Sequence, residues 1–187
     1  MAPIFIIEHL DPKVWRWSLL EYRHISSIVG KKNLWITNVK NGADKLKGIA
    51  KVFSKSVTEL KLQNACILES AGKQTLKPSD KKFEYCVFGG ILGNHPEVAK
   101  SHVIMKKMPK AAIRNLGKHQ MSTDTAVLVT KMVTEGMPLA KIPFQHGIEM
   151  EVNENECIEL PYTYVLRKGR PVLPPGLEDM LCRQKGF

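Results

Sequence analysis

Two loops in this 187-residue chain carry residue types that can hold a small ligand through the main chain. The first, Phe88-Gly89-Gly90-Ile91-Leu92-Gly93-Asn94-His95-Pro96, follows the apolar, β-prone run Phe83-Glu84-Tyr85-Cys86-Val87. Glycine lets backbone amides and carbonyls approach a ligand within hydrogen-bonding distance and accepts positive φ, and Pro96 stops any regular element. The same spacing also serves a hairpin or a strand-to-helix turn for steric reasons alone. The second loop runs from Arg114-Asn115-Leu116-Gly117 through Lys118-His119-Gln120-Met121-Ser122-Thr123-Asp124-Thr125 to Ala126. It feeds an apolar, helix-like stretch that Ser122 or Thr123 can cap, with Asp124 complementing the positive end of the helix dipole.

The elements that must position these loops alternate between strand and helix. Pro3 to Ile7 reads as a buried strand whose carboxyl end delivers Glu8 and His9, and ligands of open α/β sheets sit at that end. Asp11-Pro12 opens a helix whose apolar stripe, Trp15, Leu19, Tyr22, Ile25 and Val29, recurs at spacings of three and four until Gly30. Glu21 falls on the face opposite that stripe, which predicts solvent exposure. Further strands are expected at 34–37, 65–68, 80–91, 103–105 and 158–165, and further helices at 43–55, 126–135 and 177–183. The alternation implies an α/β fold with a largely parallel sheet and helices on both faces. No linker or repeat divides the chain, so residues 1–187 read as one domain on which 142–187 packs as an appendage.

Composition narrows the function classes. Forty-three per cent apolar residues suffice for one sizeable core. The four cysteines form no Cys-x-x-Cys pair and stand at no zinc-ligand spacing with the histidines. Neither a metal centre nor a redox motif is expected, and reduced thiols are the simpler reading. No stretch approaches the ~20 apolar residues of a membrane span, and no cationic leader precedes an apolar core, which points to the cytoplasm. Charge is unevenly placed within the net +10. Residues 1–141 hold 23 Lys and Arg against 11 Asp and Glu, whereas 149–159 holds five glutamates and no base. Such a chain can meet RNA with its basic body and a cationic protein with its acidic segment, although dispersed lysines are equally an ordinary solvated surface.

A dinucleotide-type cofactor fold would place its glycines directly after the first strand, where this chain reads Glu8-His9-Leu10-Asp11. The two late loops, together with Ile6-Ile7-Glu8-His9-Leu10, resemble instead the SPOUT methyltransferases, the knotted S-adenosylmethionine enzymes. The closest resemblance is to the fungal SPOUT-class protein arginine methyltransferases that modify a small-subunit ribosomal protein. It extends over essentially the whole chain. A C-terminal trefoil knot is implied by this resemblance alone, since connections in folds are otherwise unknotted.

By the same resemblance, Phe88, Gly89, Gly90 and Gly93 wall one side of S-adenosylmethionine. Leu116, Gly117, Gln120, Met121 and Thr125 close the other side, and Arg114 contacts the cofactor carboxylate or a substrate anion. An arginine acceptor demands a carboxylate to orient the guanidinium and take its proton. Glu8 is the first candidate because β-strand geometry delivers it to the sheet's ligand edge; Glu21, which the resemblance includes, is the second. Asn94 and His95 follow the glycines closely enough to touch the reacting methyl group. Two other acceptor readings stay open: a SPOUT RNA methyltransferase acting on rRNA or tRNA, and a non-catalytic binder of basic proteins. A monomer is expected in preference to a homodimer, with the C-terminal segment substituting for a second subunit.

Overall fold

The computed structural model describes residues 2–90, 102–153 and 156–183. Its centre is a six-stranded, all-parallel sheet built from β1 (Ile4–His9), β2 (Leu34–Thr37), β3 (Lys51–Val52), β4 (Ala65–Leu68), β5 (Tyr85–Gly90) and β6 (Ala112–Arg114). The strand order is β3-β2-β1-β5-β4-β6. β1 is central and has no exposed face, which explains its near-continuous apolar run. Phe5 and Ile7 point into the main core with Tyr22, Ile25 and Val127, while Ile6 joins Val57, Ile67, Val87 and Ile104 on the opposite face.

The first face is covered by α1 (Arg16–Val29) and α3 (Thr123–Thr134), the second by the short α2 (His102–Lys107). Helices on both faces therefore agree with expectation. α1 begins at Arg16 rather than at Asp11-Pro12, and Trp15 leaves the stripe: it is 40% exposed, with the Lys13 ammonium 4.1 Å from its ring centroid. Gly30, at φ +81°, ends the helix as expected. α3 starts one residue after Ser122, but Ser122 does not cap it by a side-chain hydrogen bond. Its hydroxyl donates to Thr125 Oγ1 at 2.9 Å instead.

Three expected elements differ. Residues 43–55 form a 3-10 turn (Ala43–Leu46) and then the edge strand β3, because Gly42 and Gly48 both take positive φ and interrupt the helical path. Residues 103–105 belong to α2 rather than to a strand. A short apolar triplet has no decisive period, and here Ile104 is buried while Val103 is 57% exposed, as one face of a helix requires. Residues 78–82 are a 3-10 turn, so β5 starts only at Tyr85.

The C-terminal segment adds a separate antiparallel sheet, β7 (Phe144–Asn153), β8 (Glu156–Arg167) and β9 (Arg170–Pro171), followed by α4 (Leu177–Arg183). Ile148, Leu160, Tyr162, Tyr164 and Met180 form a second core against Trp17 and Leu20 of α1. α1 is thereby buried on two sides. The path of residues 91–101, on which the trefoil knot depends, lies outside the described residues. Among the described residues no helix is long and apolar enough to cross a membrane.

Candidate active site

Parallel strands bring their carboxyl ends to one edge, and both glycine-bearing loops start there. β5 carries Phe88 and Gly89 between β1 and β4, with Glu8 opposite Gly89 and His9 opposite Gly90. Phe88 is buried and stacks on Phe5, ring centroids 6.4 Å apart. Gly93, Asn94 and His95 lie outside the described residues.

The second loop leaves β6 at Arg114, level with Leu68 of β4. Gly117 takes φ +103°, its N–H donates to Asn115 Oδ1 at 3.0 Å, and a Cβ added there would meet no atom of the described residues within 4 Å. The main chain at Gly117 therefore faces open space, as a cradle for a ligand requires. Leu116 and Met121 pack half-buried against the main core, and Thr125 is buried. The Gln120 carbonyl accepts the Thr163 N–H of β8 at 2.8 Å, which ties the loop to the C-terminal sheet.

Residues that sequence reasoning passed over fix this loop from below. Asn115 Nδ2 donates to the Gly72 carbonyl at 2.6 Å, and the Glu69 N–H donates to the Arg114 carbonyl at 2.8 Å. A Cβ on Gly72 would stand 2.9 Å from Arg114 C and 3.0 Å from Asn115 N, so only glycine lets the two chains come so close. Gly72 sits in a polar stretch with no hydrophobic period, and nothing in its surroundings marks it.

Arg114 does not face a ligand anion. Its Nε and Nη2 each donate at 3.1 Å to Asp80, a bidentate pair that fully engages the carboxylate. Burial alone would raise the Asp80 carboxyl, but hydrogen bonds from Arg114 and the Lys77 N–H hold it below its ordinary value. Where the sequence suggested a cofactor or substrate anion, the structure shows the Arg114 guanidinium bracing β6 against the 78–82 turn.

Glu8 is at the expected edge, 3% exposed, but it turns to the α2 face of the sheet. Its Oε2 accepts from Thr37 Oγ1 (2.5 Å) and from the Val57 N–H (2.9 Å), and its Oε1 from Ser56 Oγ (2.6 Å). Three donors hold the carboxylate between β1, β2 and the 57–59 turn. The carboxylate that position on β1 suggested as the guanidinium's partner is thus held in place from three directions.

Glu21 reverses its expectation. It is 7% exposed because Tyr162 and Tyr164 of β8 cover the outer side of α1, which no helical wheel of α1 alone displays. Burial, and next the charge of Asp124, push its carboxyl well above the ordinary value of 4.5, against the Trp17 Nε1 hydrogen bond at 3.2 Å. Asp124, on the first turn of α3, is 1% exposed and accepts from His24 Nδ1 through Oδ2 at 2.8 Å. Its Oδ1 is buried with no hydrogen-bond partner among the described residues.

Two more such orphans surround the pair. Ser18 Oγ lies on α1 one turn before Glu21, and His9 Nε2 lies at the sheet edge. His9 Nδ1 is 2.8 Å from the Tyr22 hydroxyl, and burial holds its imidazole below the usual value, against the nearby Asp11 charge. Burial raises Tyr164 as well, helped by the charges of Asp124 and Glu21. Two buried acids, Glu21 and Asp124, thus lie among His24, Tyr162 and Tyr164, and Asp124 Oδ1 carries spare acceptor capacity. A cation with several N–H donors is the complementary guest. No group of three or more metal-ligating side chains occurs among the described residues.

Comparison with known proteins places this site in a defined context. Protein arginine N-methyltransferase SFM1 of Saccharomyces cerevisiae is 34% identical to this chain over 199 residues, spanning 95% of this chain and 93% of the yeast protein. Crystal structures of the yeast enzyme complexed with SAM and with SAH superpose with a TM-score of 0.88 at 32% identity. The SAM complex spans 97% of this chain and 90% of its own, the SAH complex 95% and 93%. The dual specific Trm10 of Thermococcus kodakaraensis, at 14% identity and TM-score 0.55 over 73% of this chain and 95% of its own, shares the fold alone. Residues 4–186 match the family described as protein arginine N-methyltransferase SFM1-like, and with 95% of the chain aligned to a member, this protein belongs to that family.

Proposed function

We propose that this protein moves a methyl group from S-adenosylmethionine to a guanidinium nitrogen of an arginine in a basic ribosomal protein. The observation that carries the acceptor side is the buried carboxyl pair Glu21 and Asp124 beside the open edge of the sheet. The residues present fit the cofactor. Gly117 offers main chain facing open space, Gly89 leaves the end of β5 without a side chain, and Phe88, Leu116 and Met121 supply an apolar wall. When bound, S-adenosylmethionine supplies an electrophilic sulfonium methyl.

The chain's own residues prepare the nucleophile. A guanidinium keeps its proton until far above neutral pH, so its nitrogen lone pair is unavailable without a base. Asp124 Oδ1, which has no partner among the described residues, accepts one N–H and orients the planar fork. Glu21 holds its own proton more tightly than an exposed glutamate, and an arriving cation favours its ionised form. Once ionised beside the guanidinium, it is placed to take the proton from the reacting nitrogen as the nitrogen–methyl bond forms. Tyr162 and Tyr164 exclude water from this transfer.

Recruitment of a cationic protein is supported by the β7–β8 hairpin. Glu149 and Glu159 are cross-strand partners and both exposed, a like-charge juxtaposition that a basic peptide would relieve. The test is to incubate the protein with labelled donor and ribosomes, then treat with nuclease or protease. Label that survives nuclease and is recovered as methylarginine after hydrolysis supports the reading. Label lost to nuclease transfers the activity to RNA and overturns it.

A further inference from the structure

The 78–82 turn stands between two clefts. One, of about 540 Å³, is lined by Lys73, Gln74, Thr75 and Lys77 above the Arg114–Asp80 pair. The other, of about 770 Å³, takes in Lys81 and Lys131, and the two share Ser79 and Lys82. The charges along this path do not cancel. Asp80 is spent on Arg114, and Glu135 on Lys131. Lys73, Lys77, Lys81 and Lys82 are all exposed, and none forms an ion pair among the described residues. Four uncompensated ammonium groups on one short turn and the loop before it repel one another, a cost relieved by a guest of repeating negative charge.

We propose that this lysine-edged path binds the phosphate backbone of single-stranded RNA. Protein interfaces favour aromatic residues and arginine and avoid lysine, whereas the smaller cleft has no aromatic lining, and its one arginine is already paired. Lysines act as point charges toward phosphates without needing bidentate geometry. Gln74 and Ser79, between the lysines, both donate and accept hydrogen bonds, the capacity that a ribose 2′-hydroxyl requires and deoxyribose does not use. The path starts at Arg114, where the second loop begins, so a protein held on RNA here keeps its catalytic edge next to proteins assembled on that RNA.

The test measures binding of a fluorescent single-stranded RNA by anisotropy across salt concentrations. Four phosphate contacts predict a slope of log K against log salt of about −2.8, hence roughly 50-fold weaker binding at 200 mM than at 50 mM salt. Each single Lys→Gln change at 73, 77, 81 or 82 should flatten the slope by about 0.7, and the quadruple change should abolish its greater part. Methyl transfer to a short arginine peptide should stay at the wild-type rate in all of them, which certifies the fold. An unchanged slope in the quadruple variant overturns the assignment. So does displacement of the RNA by polyglutamate at equal charge concentration, which would make this an acidic-protein site. Equal affinity for a DNA oligonucleotide of the same sequence would also overturn it, since the hydroxyl-reading role of Gln74 and Ser79 would be void.

Discussion

Replacing Glu21 by glutamine separates catalysis from stability in a way that few active-site changes do. In the folded chain the Glu21 carboxyl is raised first by burial and then by Asp124, with Asp11 adding to it. Between the ordinary value of 4.5 and the folded value, the native state therefore holds a proton that the unfolded chain has released. The sign follows: the contribution of Glu21 to stability is fully present below about 4.5 and is lost as pH rises through the folded value. Glutamine does not titrate. It keeps an Oε1 to accept from Trp17 and presents no charge to Asp124. Its stability relative to the wild type should consequently climb with pH by about 1.4 kcal/mol for each unit by which the carboxyl is displaced. In a chain of this size that is roughly 3–6 °C in Tm per unit. Methyl transfer should fall about 10²–10⁴-fold, the usual worth of a general base. The assay is thermal unfolding by circular dichroism from pH 4 to 8 beside single-turnover methylation of an arginine peptide. A difference in Tm that stays flat across that range would refute the burial argument. A Glu21→Gln enzyme that turns over at the wild-type rate would refute the catalytic one.

The other carboxylates and glycines should behave differently. Glu8→Ala strips acceptors from Thr37, Ser56 and the buried Val57 N–H, so a loss of about 2–4 kcal/mol in urea unfolding is expected. Full stability with dead chemistry would instead return Glu8 to the mechanism. Gly72→Ala drives a Cβ into the Arg114 and Asn115 backbone and should cost about 1–3 kcal/mol while weakening cofactor binding in calorimetry. Gly117→Ala meets no atom of the described residues and should cost only the ~1–2 kcal/mol of its positive φ; equal effects at the two glycines would contradict the cradle geometry. Asp80→Asn should destabilise at neutral pH, and its difference from wild type should close as acid titration passes through the depressed Asp80 value below 3.8. A difference that persists at the acid end would mean that the Arg114 pair is not what the substitution removes.

What the sequence made legible follows the range of each signal. Buried parallel strands announce themselves as apolar runs, so β1, β2 and β4 stand where the residue pattern put them. The second loop stands between β6 and α3, where its glycine and the Ser122-Thr123 cap signal put it. The position of Glu21 was not legible, because periodicity along α1 reports only the stripe against the sheet. Trp17, Leu20 and Glu21 are buried by β8 and α4, elements more than a hundred residues away. Glu8 shows the converse failure. Its place on β1 was read correctly, yet the three donors from residues 37, 56 and 57 that hold its carboxylate are met only through folding. Arg114 likewise met its partner, Asp80, through folding alone.

The proposed cofactor and acceptor sites share one helical turn. Thr125, proposed for the cofactor side, follows directly on Asp124, proposed for the acceptor side, and Ser122 joins the turn by its bond to Thr125. The loop that precedes them is held to β8 by the Gln120 carbonyl, and β8 supplies the tyrosines that cover Glu21. Displacement of β8 would open the acid pocket to water and release the cofactor loop together. The acidic hairpin edge, Glu149 and Glu159, is carried by that same sheet. A basic protein that settles on the hairpin thus bears on the element that closes both sites, so binding of the acceptor and drying of the pocket draw on one set of contacts.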